Sequence, residues 1–282
     1  MARGSGQARR RGQHHLGTHA LLGVCVAVVA FPVIYAILVS TFSFREVFEY
    51  PPRLLPGGAA VENYTTAWTK VNMGRLLFNT TVIAVSVALG KMFLSVLAAF
   101  AFTYFRDFRG KTVLFTVILI THMLPLPVRI VPTFELMDRF GWVNTYYALT
   151  IPFFASATGT LLFRQFFLTV PSALSDAARI DGAGPMRFLT SILIPLSYNN
   201  LMALFMVEFV YMWNQYLWPL IITTSNEMRV AQIGIKMLVA TDAVAEWNVI
   251  MAGVIVVMLP PLVVLLLLQH HFTRSVTFGV EK

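Results

Sequence analysis

Long apolar runs separated by short charged segments dominate this sequence. Six of them have the length, about 20 residues, that a helix needs to cross a bilayer core about 30 Å thick. They lie at about residues 16–42, 76–105, 113–134, 146–167, 201–223 and 247–271. The alternation of apolar and polar positions that is typical of an outer-membrane barrel is absent from the sequence. The pattern predicts an all-α integral membrane protein with six transmembrane helices.

The first run follows the basic segment RRRGQHHLG at residues 9–17, and a secretory signal peptide begins in a similar way. The apolar stretch behind it exceeds the roughly 7 to 15 residues of a signal core, and no convincing small-x-small cleavage pattern accompanies it. A retained helix is therefore favoured. Three regions are expected: a basic cytoplasmic tail (1–15), a six-helix membrane domain (16–271) and a C-terminal cytoplasmic tail (272–282).

Lys and Arg residues near the ends of the runs predict the orientation. More than half of these 21 residues lie in segments that face the cytoplasm if the N-terminus is inside. The bias is clearest in the short loop FRDFRGK at residues 105–111. By the positive-inside rule, both termini are expected in the cytoplasm.

Composition agrees with a multi-pass protein of the cell membrane. Hydrophobic residues make up 57% of the chain and charged residues 12%. In soluble domains, apolar residues average roughly 45–50% and charged residues about 25%. The net charge of the chain, +8, is spread over the inner ends of helices and does not gather on one soluble face. Nucleic acid is therefore not expected as a partner, and membrane lipid is.

Catalytic and metal-binding patterns are weak. Cys25 is the only cysteine, so a disulfide framework and a CxxC site are excluded. The segment RGKT at 109–112 is similar to the end of a P-loop, but Phe105 stands where that motif requires Gly. No catalytic residue, metal site or bound cofactor is expected. An intramembrane lipid-linked transferase stays as an alternative, although Glu208 is the only acidic residue well inside a span and lacks a second carboxylate.

A polar, Ala-rich segment, PSALSDAARIDGAGPMRFLTSILIP at residues 171–195, interrupts the apolar pattern. Ser172 is expected to cap a short helix with Asp176 in its first turn. Gly182 and Gly184 permit a turn, and Pro185 suits the start of a second helix. The residues predict a two-helix elbow on the cytoplasmic side, which either meets another protein or lies on the lipid headgroups.

The stretch DAARIDGAGPMRFLTSILIP resembles the cytoplasmic loop that defines importer-type ABC permeases. Asp176 replaces the Glu usual in that loop, which keeps the carboxylate but shortens the side chain. The resemblance implies that the loop docks into a cleft of the ATPase subunit and transmits its closure to the membrane helices. The implied coupling residues are Asp176, Ala177, Ala178, Arg179, Asp181, Gly182 and Ala183.

The same resemblance implies the partners. An importer of this type combines two permease subunits, here a heterodimer, with two ATPase subunits and an extracytoplasmic substrate-binding protein. ATP and Mg²⁺ then bind in the partner ATPase and not in this chain. The resemblance also implies the importer permease fold.

Four further stretches are similar to the second permease subunit of glycerol-3-phosphate importers: MLPLPVRIVPTFE, SATGTLLFRQFF, YMWNQYLWPL and AEWNVIMAG. They occur in this order from the third to the sixth run. The resemblance implies transport of glycerol-3-phosphate or related glycerophosphodiesters. A neutral sugar such as trehalose or a maltodextrin is the alternative within the family.

Lys91 and Glu208 are ionisable residues inside predicted spans, where charges are costly and face a cavity or a partner. Lys91 lies roughly 22 Å along its helix, too deep to reach either surface easily. Glu208 is therefore its predicted partner, either as a structural ion pair or as part of a substrate pathway.

Three other polar residues are candidates for the substrate pathway. Asn214 and Gln215 would be costly if they faced lipid, so they are expected to face inward, while Trp218 beside them is typical of an interface belt. Arg129 lies between Pro127 and Pro132, where an irregular, cavity-facing segment is expected. An arginine there either binds a phosphate through paired hydrogen bonds or reaches to the outer headgroups.

Overall fold

The structure, a computed structural model, describes residues 5–105, 108–240 and 244–277, and it contains helices and loops but no strand in these ranges. The all-α prediction is confirmed. The helices are Ser5–Val39 (α1), Ala60–Lys70 (α2), Met73–Tyr104 (α3), Lys111–His122 (α4), Leu126–Arg139 (α5), Tyr146–Thr150 (α6), Ala157–Thr169 (α7), Ser172–Ile180 (α8), Pro185–Phe188 (α9), Ile194–Leu196 (α10), Tyr198–Trp213 (α11), Leu217–Ile222 (α12), Ala231–Ala240 (α13) and Trp247–Thr277 (α14). Short 3₁₀ turns occupy Glu46–Phe48, Ile151–Phe153 and Asn226–Met228, and a π-helical turn over Leu189–Leu193 joins α9 to α10.

Among the described residues, three helices are long and apolar enough to cross a bilayer without a break: the part Gly17–Val39 of α1, the whole of α3, and the part Trp247–His271 of α14. Three further candidate spans are pairs of helices bent at a short break. The bend between α4 and α5 is 105°. It is 41° between the segment Tyr146–Phe153, which contains α6, and α7. It is 75° between the segment Pro185–Leu196, which contains α9 and α10, and α11. By length and composition the described chain has up to six spans, so six stays a prediction.

The region predicted as the fifth span departs most from expectation. A single helix over 201–223 is wrong, because α11 ends at Trp213 and the separate α12 begins at Leu217. The backbone N–H and the side chain of Asn214 both donate to the Val210 carbonyl, at 3.2 and 2.8 Å, and these two bonds close the last turn of α11. Pro219 lies in the first turn of α12, where its missing N–H is not needed.

The predicted tails are partly helical. α1 begins at Ser5, within the predicted basic tail, and α14 continues to Thr277, beyond the predicted end of the membrane domain. Residues 1–4 and 278–282 of these tails lie outside the described residues, as do residues 106–107 of the basic loop.

The chain divides into two units, of which the first comprises Met1–Val71 and Ile235–Val256. Within this unit, buried Asn63 on α2 forms hydrogen bonds to the segment after α1 and to α14. Its side-chain nitrogen donates to the carbonyls of Ser40 at 2.9 Å and Phe42 at 2.7 Å, and its oxygen accepts from Asn248 at 2.8 Å. These bonds fix the end of α1, whose candidate span is only 6% buried and leaves its apolar surface to lipid or to another chain.

The second unit comprises Asn72–Gly234 and Val257–Lys282, and α3 packs there against both α7 and α11. The core includes Phe163, which is fully buried, and Leu204. Gly159 permits the close approach of α7, since a Cβ at this position would lie 2.9 Å from the Ser95 Cβ and 3.0 Å from the Leu204 Cδ2. Small residues serve the same purpose where helices associate in membranes.

Candidate functional site

A cavity of about 570 Å³ lies among α3, α4, α5, α7 and α11, all within the second unit. Its charged or imidazole-bearing lining residues are Lys91, His122, Arg129 and Glu208. The hydroxyl groups on its wall belong to Thr121, Ser156, Thr158, Thr160 and Tyr211. Three of the five predicted pathway residues, Lys91, Arg129 and Glu208, therefore meet at one cavity.

Lys91 and Glu208 form an ion pair. The Lys91 Nζ donates to Glu208 Oε2 at 2.5 Å, and the side chains are only 9% and 8% exposed. The Tyr211 ring lies 5.0 Å from the Lys91 Nζ, within the range of a cation–π interaction. The predicted pairing is confirmed, and its position on the cavity wall joins α3 to α11.

The other Glu208 oxygen contacts the beginning of α7. Ser156 is the N-cap of that helix: its hydroxyl oxygen accepts from the Gly159 N–H at 3.1 Å and its hydrogen is donated to Glu208 Oε1 at 3.2 Å. The positive end of the helix dipole favours a carboxylate there. Three helices thus converge on one buried carboxylate.

Arg129 reaches the cavity because the chain breaks between α4 and α5. Pro125 is the N-cap of α5 and Pro127 lies in its first turn, where proline is tolerated. The irregular segment predicted between Pro127 and Pro132 is therefore wrong; the break lies at residues 123–125, before α5. Arg129 is exposed and lines the cavity as predicted.

His122 was not recognised from the sequence. It ends α4 and lines the cavity, with its Nε2 3.4 Å from the Thr158 hydroxyl. Ser156 and Tyr211 were missed as well. A serine directly before the start of a helix is an N-cap signal, which Ser156 provides before Ala157. Tyr211 follows Glu208 by three residues, which places both on one helix face.

Asn214 and Gln215 are not among the residues that line this cavity. Asn214 is exposed, caps α11 and accepts from Gln232 at 3.3 Å. The inward position was predicted for amides within a continuous span. It does not follow here, because α11 ends at Trp213, before both amides. Trp218 is 1% exposed and donates to the Ala148 carbonyl at 2.9 Å, so its assignment to an interface belt is wrong.

The predicted elbow consists of α8 and α9 joined by a tight corner. Gly182 adopts a φ of +76° at the corner, the left-handed conformation that favours glycine. Pro185 occupies the first turn of α9 as predicted. Ser172 is not the cap, because the helix begins at Ser172 itself and Pro171 precedes it without a side-chain cap. Asp176 consequently lies past the first turn.

Most of the predicted coupling residues are accessible. Ala178 is buried and Ala183 is half-buried, while the exposed ones are Asp176, Ala177, Arg179, Asp181 and Gly182. Arg179 packs over the Tyr104 ring at 5.1 Å and its Nε donates to the Tyr104 hydroxyl at 3.3 Å. That hydrogen bond raises the pKa of Arg179. Arg179 thus attaches the elbow to the end of α3.

A family model described as binding-protein-dependent transport system inner membrane component matches residues 91–278. The chain is 45% identical over 246 residues to the sn-glycerol-3-phosphate transport system permease protein UgpE of Rhizobium meliloti (strain 1021), covering 84% of this chain and 87% of the relative. It is 44% identical over 266 residues to the protein of the same name from Salmonella typhi, covering 92% and 94%.

A solved structure has a similar fold. It is a chain of a bacterial ABC transporter involved in the import of the acidic polysaccharide alginate, and it superposes with a TM-score of 0.82 at 22% identity. The similarity covers 96% of this chain and 100% of that one. The fold of this chain is therefore similar to that of the matched transporter chain.

Proposed function

Because the chain belongs to the family of binding-protein-dependent transport system inner membrane components, we propose that it forms half of the path by which an ATP-binding-cassette importer carries glycerol-3-phosphate or related glycerophosphodiesters. It is a multi-pass membrane protein and a permease subunit, not an enzyme. The alternative of an intramembrane transferase is therefore wrong.

The charge balance of the cavity supports an anionic substrate. Glu208 neutralises Lys91, whereas among the described residues no hydrogen bond or ion pair engages Arg129. The cavity wall thus carries one uncompensated guanidinium. A guanidinium binds phosphate through two parallel hydrogen bonds, and a neutral sugar does not require one. The Arg129 guanidinium on the cavity wall, unpaired within the described part of the chain, is the observation on which the substrate assignment depends.

The proposed assembly contains a second permease subunit, two ATPase subunits and an extracytoplasmic substrate-binding protein. The family description names dependence on a binding protein, which supports the last of these. ATP and Mg²⁺ bind in the ATPase subunits, and the elbow transmits their closure. Coupling from that side requires the elbow, and with it both chain termini, to face the cytoplasm.

Transport by the assembled complex in proteoliposomes tests the proposal. ATP-dependent uptake of labelled glycerol-3-phosphate or glycerophosphocholine is expected, with trehalose and maltose as neutral comparisons. Uptake of the neutral sugars alone would contradict the substrate assignment. Failure of the purified permease to associate with an ATPase subunit would contradict the assembly.

Replacing Arg129 with glutamine is expected to lower uptake of glycerol-3-phosphate by about tenfold or more, the value of a charge-assisted hydrogen bond. Arg129→Lys keeps the charge but loses the paired geometry, so it restores uptake only partly. The measurement is the initial rate of ATP-dependent uptake at matched membrane levels.

Arg139→Gln is the matched control, since Arg139 ends the same helix but does not line the cavity. This variant is expected to transport as the wild type does. Equal uptake by the Arg129→Gln and Arg139→Gln variants would remove Arg129 from the pathway and weaken the anionic assignment.

A further inference from the structure

The Lys91–Glu208 pair is buried, and both residues line the wall of the cavity. A buried ion pair is often no more stabilising than well-packed apolar side chains of similar volume. Helix association alone therefore does not account for two opposite charges at this place. Their position in the cavity lining indicates a role toward whatever enters the cavity.

Lys91 retains donors for a second acceptor. An ammonium group carries three N–H donors, and in the described part of the chain Glu208 is its hydrogen-bond partner while the Tyr211 ring lies 5.0 Å away. A further acceptor in the cavity can therefore bind Lys91 while Glu208 stays close.

Glu208 is held independently of Lys91. Its Oε1 accepts from Ser156 at 3.2 Å, and Ser156 is itself bonded to the Gly159 N–H. The carboxylate therefore keeps its place if an anion attracts Lys91. A negative charge then stays beside the anion, where it is repulsive over a few ångströms of poorly screened space.

We propose that Glu208 is a built-in competitor for the anionic group of the substrate at Lys91. The inference rests on the proposed function, since it requires an anionic substrate in this cavity. An entering phosphate is attracted by Lys91 and Arg129 and repelled by Glu208, so the cavity holds it weakly. A transport path needs weak binding because the substrate must also leave.

Glu208→Gln in the assembled complex tests this competition. The amide keeps the shape of the side chain and an acceptor for Ser156, but it removes the charge that holds Lys91. The KM for glycerol-3-phosphate is expected to fall by about tenfold, the change produced by about 1.4 kcal/mol of tighter binding. The maximal rate falls with it because release becomes slower. A role in structure alone would lower the amount of folded permease and leave the KM unchanged.

The Lys91→Gln/Glu208→Gln double variant keeps the experiment decisive if the single variant does not fold. It contains no unpaired buried charge, so it is expected to insert and assemble. Without the Lys91 cation, the fall in KM that is expected of Glu208→Gln is lost, so the KM of the double variant for glycerol-3-phosphate is not below the wild-type value. A double variant with a KM below the wild-type value would overturn the competition, because tighter binding would then not depend on Lys91.

The charge-swapped Lys91→Glu/Glu208→Lys variant separates pairing from competition. Because it restores the ion pair, it is expected to recover the folding lost by either single swap, and failure to recover would argue against the pairing. If the wild-type complex carries glycerol-3-phosphate but Glu208→Gln has an unchanged KM, the competition alone fails. If the wild-type complex carries no phosphorylated compound, the proposed function fails.

Discussion

Replacing Gly182 with valine is expected to reduce ATP-driven uptake at least tenfold while the permease still inserts into the membrane. Gly182 has a φ of +76° at the corner between α8 and α9, and a β-branched residue adopts this conformation only with strain, typically of the order of 1–3 kcal/mol. A Cβ at Gly182 would meet no atom within 4 Å. The substitution therefore strains only the backbone of the elbow and causes no side-chain overlap. Relief of this strain is expected to reorient α8 relative to α9.

Gly184→Val is the matched control for this experiment. Gly184 is two residues away, has an ordinary φ of −72° and also has open space around a Cβ. Gly182→Asn is expected to restore part of the uptake, because asparagine tolerates the left-handed region better than valine. The measurements are uptake, membrane level and co-purification with the ATPase subunit. Full uptake by Gly182→Val would show that the elbow is not the coupling element.

Replacing Gly159 with valine is expected to cause the largest loss of stability. The Cβ would overlap the Ser95 hydroxyl and approach the Ser95 Cβ to 2.9 Å and the Leu204 Cδ2 to 3.0 Å. Overfilling a packed site costs about 1–3 kcal/mol. Here the cost includes separating α7 from α3 and α11, which also moves Ser156 away from Glu208. A lower thermal midpoint in detergent and a lower membrane level are the expected results.

The double variant Gly159→Ala/Ser95→Gly tests the cause. Removing the Ser95 side chain removes two of the three close contacts, so it is expected to recover most of the stability lost by Gly159→Ala alone. Gly58→Ala is the control, because a Cβ there meets no atom within 4 Å. Equal thermal midpoints for the Gly159→Ala and Gly58→Ala variants would contradict the close packing of α7 against α3.

Both glycines connect the candidate site to the proposed transport cycle. Gly182 shapes the part of the chain that is expected to receive the motion of the ATPase, and Gly159 holds the helix whose cap contacts the Glu208 carboxylate. A change at Gly182 should therefore affect coupling with little effect on folding. A change at Gly159 should affect folding first.

The helical class, the elbow and the identities of the buried charges were determined by the sequence. An apolar run of about 20 residues favours the bilayer core, and the backbone groups in that core must be hydrogen-bonded within the segment, so the run predicts a helix from composition alone. The Gly-x-Gly-Pro pattern at residues 182–185 dictates a corner through local backbone preference alone. A charge deep in an apolar run demands a partner wherever the chain goes, and Glu208 was the available carboxylate for Lys91.

The tertiary structure decided where the spans break and which polar groups share a cavity. Asn214 and Pro219 were visible in the sequence, but a helix end and an inward-facing amide satisfy the same local chemistry, and long-range packing selects between them. His122 and Thr158 are 36 residues apart, and Lys91 and Glu208 are 117 apart. Hydropathy also does not distinguish a tryptophan at the lipid interface from one buried like Trp218, because both burials remove the same apolar surface from water. Only the packing of α3, α7 and α11 determines which of these contacts form.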